Sequence, residues 1–177
     1  MITIKPVTPE EYALTQQVVR TAFAGAPHTD GDEYQLIKRL RAETDYEPTF
    51  DVVAKNGATG KIVGHAMLSQ ITIEDGAAQT VALALAPLAV LPESQHQGVG
   101  AALIAYLEAA ATQAGYPAIS VLGDPAYYGR FGYVPASQYN IVASFDVPDA
   151  YYMVKALRQN ALRHVQGVVH YQVAFGI

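Results

Sequence analysis

The residues best placed to do chemistry are Gly98 and Gly100, in the polar loop Gln95-His96-Gln97-Gly98-Val99-Gly100. A predicted helix follows the loop, and the first four backbone N–H groups of a helix have no intrahelical acceptor. The helix dipole adds partial positive charge at the same end, and glycine has no side chain to keep a ligand off these amides. The loop therefore fits a phosphate or pyrophosphate site, or glycines that only let the helix start close to a sheet.

A second segment, Tyr127-Tyr128-Gly129-Arg130-Phe131-Gly132-Tyr133, contains two adjacent tyrosines. A phenol with a pKa near 10 stays protonated at neutral pH and can donate a proton to a leaving group. On a helix, the side chains of two adjacent residues point in different directions. Against a catalytic role stands an ordinary packed tyrosine, and the chain has 12 tyrosines to supply one.

The composition excludes several classes of protein. With 177 residues, 51% of them hydrophobic and 15% charged, the chain predicts one ordinary globular domain. The net charge of −5 and the scattered basic residues argue against nucleic-acid binding. Without cysteine there are no disulfides, thiolate metal ligands or cysteine nucleophiles, and no metal site is predicted. No run of about 18 apolar residues predicts a membrane span, and no secretory signal is present, so a cytoplasmic protein is expected.

Hydrophobic periodicity identifies the helices that must position these groups. Val99, Leu103, Ile104 and Leu107 recur at spacings of three and four and predict a helix from residue 98 to about 114. Thr8 with Glu11 reads as a capping box that starts a first helix, which ends at Phe23. Asp30 or Asp32 is expected to cap a second helix, with Leu36, Ile37 and Leu40 facing inward.

The predicted strands are joined by short turns. A first strand at 3–5 precedes three more at 50–54, 62–73 and 80–91, which together predict an antiparallel meander. A strand at 118–122 follows the helical crossover and should be parallel to its predecessor. Beyond it, the pattern predicts a short helix or turn at 125–131, a strand at 139–145, a helix at 149–157 and a final strand at 165–175. The edge at 170–175 would be free to pair with a second subunit as a homodimer.

Two of these motifs carry a family resemblance. Gln95, Gly98 and Gly100, directly after Leu-Ala-Val-Leu-Pro-Glu, resemble the signature Arg/Gln-x-x-Gly-x-Gly/Ala of the GCN5-related N-acetyltransferase (GNAT) family. Residues 127–133 resemble its aromatic-Tyr-x-x-x-Gly-aromatic segment. The resemblance implies an α/β fold with a mixed, mostly antiparallel sheet, helices on both faces and a splayed strand pair. It also implies a single domain over 1–177, with a family core to 136 and an extension at 137–177, closest to uncharacterised bacterial acetyltransferases with an extended C-terminus.

The same resemblance implies an enzyme that moves the acetyl group of acetyl-CoA to a primary amine by direct attack, through a tetrahedral intermediate. The backbone of Leu88, Ala89 and Val90 would pair with the pantetheine arm, and an amide of Leu88 or Ala89 would face the acyl oxygen. Pro87 fits a broken strand ladder there, because proline donates no ladder bond. Tyr128, four residues before Gly132 at the tyrosine position of the family segment, would contact the cofactor and protonate the departing thiolate, with Tyr127 as the second choice. The remaining contacts would come from the loop and first helical turn: Gln95, His96, Gln97, Gly98, Val99, Gly100, Ala101 and Ala102.

The acceptor is expected to be a small-molecule or peptide amine. Acidic residues near the first two helices favour a cationic amine or are simply a solvated surface; they are Asp30, Asp32, Glu33, Glu43, Asp45 and Glu47. Glu33 is the candidate general base, with His65 an alternative, and each also has an ordinary structural interpretation.

Two other functions stay open. One is a non-catalytic acyl-CoA sensor, which differs from the enzyme only through Tyr128. The other is a dinucleotide-binding oxidoreductase in which Asp124 would bind ribose. Against the oxidoreductase, Leu103 stands at the position where the dinucleotide motif has its third glycine. The antiparallel meander predicted before the loop also differs from the strand–helix–strand start of such a fold. A Walker loop is excluded, because no Gly-Lys-Ser/Thr occurs.

Overall fold

A computed structural model describes residues 1–177. The chain forms two compact units, one made of Met1–Leu68 and Ala86–Ala110 and the other of Ser69–Leu85 and Ala111–Ile177. Two long strands, β3 (Ile62–Asp75) and β4 (Ala78–Val90), are each divided between the two units. The single domain over 1–177, with a core to 136, stays a prediction. None of the helices has the length and hydropathy that crossing a bilayer requires.

The first unit is an antiparallel sheet with helices. Strand β2 pairs with β1 on one side and with the beginning of β3 on the other, both antiparallel. Its other elements, besides the parts of β3 and β4, are β1 (Ile2–Pro6), α1 (Tyr12–Phe23), α2 (Glu33–Leu40), β2 (Asp51–Asn56) and most of α3 (Val99–Gln113). Strand β4 follows β3 in the sheet, so the predicted strand order of the meander and the first three helices are confirmed.

Two apolar contacts hold the helices of the first unit on its strands. Val19 of α1 and Ile37 of α2 pack with Ala89 of β4, and all three side chains are buried. For α3, the contact depends on Gly64 of β3, where a Cβ would lie 3.1 Å from side-chain atoms of both Val99 and Leu103. A side chain at position 64 would therefore push away the helix that carries the glycine loop.

The second unit is also mostly antiparallel. Strand β8 pairs antiparallel with β5 and β6, while β9 pairs antiparallel with β3 and parallel with β7. Its further elements are β5 (Ala118–Leu122), α4 (Pro125–Tyr128), β6 (Val134–Pro135), β7 (Ile141–Ala143), β8 (Tyr152–Ala156) and β9 (Gly167–Tyr171). The predicted parallel pairing of β4 with β5 is confirmed, and it consists of two rungs, Leu83↔Ile119 and Ala84↔Ser120.

The prediction of a helix at 149–157 is wrong. A 3-10 turn at Asp149–Tyr151 leads into strand β8. Tyr152 and Val154 alternate with Met153, and both lie in the apolar core of the second unit together with Ile71 and Val169. This period of two matches a strand beside β5 and cannot form the single buried stripe of a helix.

The prediction of an exposed final edge is also wrong. Strand β9 ends at Tyr171, before a 3-10 turn at Val173–Phe175; it pairs with β3 over 168–171 and with β7 over 167–169. Only residues 170 and 171 of the predicted edge lie in a strand, and both pair with β3. The strand predicted at 139–145 is shorter, Ile141–Ala143, and follows a 3-10 turn at Ala136–Tyr139. A homodimer stays a prediction, without this edge to support it.

Candidate active site

The glycine loop leads directly into helix α3, as the sequence predicts. Helix α3 begins at Val99, and its first intrahelical bond runs from the Ala102 N–H to the Gly98 carbonyl at 3.0 Å. The N–H groups of Val99, Gly100 and Ala101 precede that bond and so have no intrahelical acceptor. Gly98 has φ +80°, and no atom lies within 4 Å of the place that a Cβ would take. The exposed turn in front of these amides is therefore open to an anion.

The three polar residues of the loop are exposed, and two of them brace it. The Gln95 side chain donates to the Val90 carbonyl at 3.2 Å, and the Gln97 side chain donates to the Glu93 carbonyl at 2.9 Å. His96 has φ +60°, in the left-handed region. Because both glutamine side chains bond to backbone carbonyls of the preceding residues, the groups left to bind a ligand are the backbone amides.

The predicted pantetheine segment lies at the end of β4, in the first unit. Ala89 is 2% exposed under α1 and α2, while Leu88 and Val90 are half-buried. Pro87, which precedes them, has no N–H to donate to a neighbouring strand. This segment continues directly into the 3-10 turn Pro92–Ser94 and the glycine loop.

Tyr128 lies in the second unit, at the end of α4. Its half-buried ring packs edge-on against Tyr127 and Tyr133, with centroids 5.0 and 5.8 Å away. Burial, with Tyr127 adding to it, raises the pKa of the Tyr128 phenol well above its ordinary value. The phenol is therefore protonated throughout the neutral range and can act as a hydrogen-bond donor.

Gly123, which was not predicted as a functional residue, leaves space for the Tyr128 ring. Gly123 follows β5, and its N–H donates to the Tyr151 carbonyl at 3.0 Å. A Cβ at this position would lie 2.8 Å from Cδ2 of Tyr128 and closer still to Cε2. Only glycine leaves room for the ring over the end of β5. The signal in the sequence is a glycine between a strand and a predicted helix start.

Asp124, the candidate ribose ligand of the oxidoreductase alternative, is a helix cap. Its Oδ1 accepts from the Ala126 N–H at 2.8 Å at the start of α4. Capping by Asp124 and the start at Pro125 explain why a four-residue helix forms here.

The acidic residues near α1 and α2 are largely engaged in local structure. Glu33, the first residue of α2, accepts a hydrogen bond from the Thr29 hydroxyl. Asp32 is paired with Arg39 at 2.6 Å, so this carboxylate adds no net charge for a cationic acceptor. Asp30 and Glu47 accept from the backbone N–H groups of Asp32 and Thr49. No three of the His, Asp and Glu side chains cluster in a way that could hold a metal ion.

The first unit also contains a buried polar cluster that the sequence did not predict as a unit. Asp51, at the start of β2, accepts hydrogen bonds from Arg41 at 2.7 and 3.2 Å, from Tyr46 at 2.8 Å and from His65 of β3 at 2.7 Å. Burial raises the pKa of Asp51, but hydrogen bonds from His65 and Arg41 outweigh it and lower the pKa to about 2. The sequence could have indicated this cluster, because an aspartate and a histidine inside apolar strands need polar partners when they are buried.

The comparisons with known proteins agree with these features. A model of the acetyltransferase (GNAT) domain matches residues 49–135. YhbS of Escherichia coli, named an uncharacterized N-acetyltransferase, is 30% identical over 143 residues, which are 81% of this chain and 83% of YhbS. YjhQ of the same organism, also named an uncharacterized N-acetyltransferase, is 31% identical over 118 residues, 66% of this chain and 64% of YjhQ.

Solved structures show the same fold. Escherichia coli YhbS in complex with CoA has a TM-score of 0.86 over 99% of this chain and 92% of that one, at 24% identity. A GNAT family acetyltransferase from Brucella melitensis in complex with acetyl-CoA has a TM-score of 0.78 over 99% and 98% of the two chains, at 28% identity. With a relative of 30% identity across most of its length, this chain belongs to the GNAT family of N-acetyltransferases.

Proposed function

We propose that the protein transfers the acetyl group of acetyl-CoA to a primary amine, by direct attack of the amine on the thioester carbonyl through a tetrahedral intermediate. The observation that carries the proposal is the start of α3, where the N–H groups of Val99, Gly100 and Ala101 lie behind the open turn at Gly98. These amides would hold the pyrophosphate of CoA. The Brucella melitensis relative, solved with acetyl-CoA, supports this choice of donor.

The remaining loop residues would surround the same phosphates. Gln95 and Gln97 fix the loop through the Val90 and Glu93 carbonyls, and His96 and Ala102 complete the contact segment. No lysine or arginine lies in the loop, so binding would depend on backbone amides and the helix dipole.

Two groups would act on the reacting atoms. A backbone amide of Leu88 or Ala89 would donate to the carbonyl oxygen as it becomes an oxyanion, with Val90 continuing the contact to the pantetheine arm. The Tyr128 hydroxyl would give its proton to the CoA sulfur as the C–S bond breaks. The short β4–β5 ladder of two rungs supports entry of the thioester beyond the paired part of these strands.

The acceptor is proposed as a small-molecule or peptide amine. Glu33 remains only the general base predicted from the sequence; its carboxylate accepts a hydrogen bond from the Thr29 hydroxyl, which favours the alternative base, His65. A cytoplasmic location is part of the same proposal.

Calorimetric titration tests the donor first. We expect micromolar binding of acetyl-CoA and of CoA and no binding of NADH, because the loop offers amides for a pyrophosphate but lacks the third glycine of a dinucleotide site. Gly98→Val should weaken acetyl-CoA binding at least tenfold, since φ +80° is strained for a β-branched residue. Binding of NADH alone would overturn the acetyltransferase proposal. The matched control is Gly31→Val, at φ +77° in an exposed loop outside the site.

Gly123→Ala is expected to lower kcat about tenfold or more while leaving acetyl-CoA affinity nearly unchanged. The added methyl group must displace the Tyr128 ring, and a misplaced group near the chemistry lowers rates steeply. Gly129→Ala is the matched control, because nothing lies within 4 Å of a Cβ there. In a Tyr128→Phe background Gly123→Ala should have no further effect on kcat. An equal loss in both backgrounds would show that Gly123 does not act through Tyr128.

A further inference from the structure

The strongest unused chemistry in the molecule is the pair formed by His65 and Asp51. Both side chains have no exposed surface, and His65 Nε2 lies 2.7 Å from Asp51 Oδ1. The carboxylate is held ionised by Arg41 and Tyr46 as well. An ionised carboxylate only accepts hydrogen bonds, so the hydrogen of the neutral imidazole must be on Nε2 and the lone pair on Nδ1.

His65 is neutral near physiological pH. Burial lowers the pKa of its imidazole below the ordinary value, although the Asp51 carboxylate acts in the opposite direction. The histidine thus has a fixed tautomer and an available basic nitrogen. An aspartate that orients a histidine in this way is the arrangement by which hydrolases make a histidine a proton acceptor.

The basic nitrogen has no partner in the protein. Nδ1 of His65 is fully buried and makes no hydrogen bond, which is rare because such an atom destabilises a fold unless a ligand or water satisfies it. Its place in the sheet is informative. The Leu91 N–H donates to the Val63 carbonyl at 2.9 Å, and a Cβ at Gly64 would lie 3.1 Å from the Ala89 carbonyl oxygen, so the part of β3 next to His65 runs alongside the predicted pantetheine segment.

No other group in the cluster can accept a proton at neutral pH. Arg41 is permanently charged, and its guanidinium lies over the Tyr12 ring at 4.0 Å. Tyr46 donates to Asp51, and its hydroxyl lies 3.3 Å from that of Tyr12. Burial first, and the Tyr12 hydrogen bond next, raise the pKa of Tyr46, and all the accepting capacity of Asp51 serves Arg41, Tyr46 and His65.

We propose that His65 is the general base of acetyl transfer, taking a proton from the acceptor ammonium through one bridging water, with Asp51 as its positioning residue. The inference deepens the proposed function and rests on it. One N–H bond of the ammonium breaks and the proton reaches Nδ1, which leaves the nitrogen lone pair free to attack the thioester carbon. As the C–N bond forms and the C–S bond breaks, the second proton leaves the nitrogen to solvent water and the CoA sulfur takes the Tyr128 proton. His65 then releases its proton to solvent and Tyr128 regains one, so the ammonium and the thioester give the amide, the CoA thiol and one proton.

His65→Gln tests the assignment. The glutamine amide nitrogen can replace Nε2 as donor to Asp51, so the cluster keeps its packing, but an amide is not a base. With spermidine, L-lysine and a lysine-containing peptide as acceptor probes, kcat/KM should fall about 10²–10⁴-fold at pH 7. Acetyl-CoA affinity and melting temperature should stay close to wild type. His170→Gln is the matched control, because that histidine is exposed and paired with Glu74 at 3.1 Å.

The pH profile separates a base from a structural residue. With His65 as base, wild-type log(kcat/KM) should be flat from below pH 6.5 up to the pKa of the amine. His65→Gln should instead rise by one unit per pH unit, because it depends on free amine from solution. A wild-type profile with that same rise would overturn the proposal, even if the variant does not fold. So would wild-type rates in His65→Gln, or a loss explained by weaker acetyl-CoA binding. Acetyl-CoA binding without acetylation of any probe would overturn the proposed function itself.

Discussion

Asp51→Ala is expected to lower the free energy of unfolding by about 3–5 kcal/mol. The substitution leaves the Arg41 guanidinium, whose side chain is 6% exposed, without its buried partner, and His65 without an acceptor for Nε2. It also removes the group that links the segment after α2 to β2 and β3. Urea denaturation monitored by circular dichroism measures the loss.

Asp32→Ala is the matched control for that substitution. Asp32 forms an ion pair with Arg39 at 2.6 Å, but both side chains are more than 40% exposed, and an exposed pair contributes at most about 1 kcal/mol. Equal losses for the two variants would mean that the Asp51 cluster adds no more than a surface ion pair.

The pH dependence of stability follows from the same two groups. Burial raises the pKa of Asp51, but its hydrogen bonds outweigh burial and lower that pKa to about 2, so its contribution is complete above about pH 4 and is lost as pH falls toward 2. Burial lowers the pKa of His65, so the unfolded chain takes up that proton first and stability begins to fall below about pH 6.5. In the Asp51→Ala variant, the loss of stability between about pH 4 and pH 2 should be absent.

Local signals are enough to predict the glycine loop and its helix. The apolar spacing of Val99, Leu103 and Leu107 defines one buried stripe, and a positive φ at Gly98 is what a glycine directly before a helix permits. The position of Leu88 and Ala89 at the end of a strand follows from the sequence for the same reason. Each of these features depends on neighbours within a few residues.

The errors arise where the deciding contacts are distant in sequence. The pattern at residues 149–157 predicts a helix, yet Tyr152 and Val154 are fixed by pairing with Leu122 and Ser120 of β5. The edge at 170–175 is expected to be free, but its two strand residues, 170 and 171, pair with β3, about 100 residues away along the chain. Asp51 and His65 are each visible as polar residues in apolar strands, while their contact depends on the register of β2 and β3.

Tyr128→Phe is expected to lower kcat for acetyl transfer about 10²-fold at neutral pH, the lower end of the range for loss of an acid catalyst. The phenylalanine ring keeps the packing over Gly123 and against Tyr133, so acetyl-CoA affinity and melting temperature should stay the same. What is lost is only the hydroxyl, whose pKa burial raises and which therefore holds its proton until the thiolate leaves. Steady-state release of the CoA thiol measures kcat, and calorimetry measures acetyl-CoA binding.

Tyr127→Phe is the matched control, because it removes a hydroxyl from the neighbouring ring and keeps that ring's contacts. The Tyr127 ring lies edge-on to Tyr128 with centroids 5.0 Å apart, and Arg130 lies over its face at 4.8 Å. We expect that variant to react at the wild-type rate. If Tyr128→Phe also kept the wild-type kcat, the CoA thiolate would leave without a proton from this residue. If it kept acetyl-CoA binding and a biological effect while wild type acetylated no amine, the protein would be a non-catalytic acyl-CoA sensor, and the catalytic assignment of Tyr128 would be wrong.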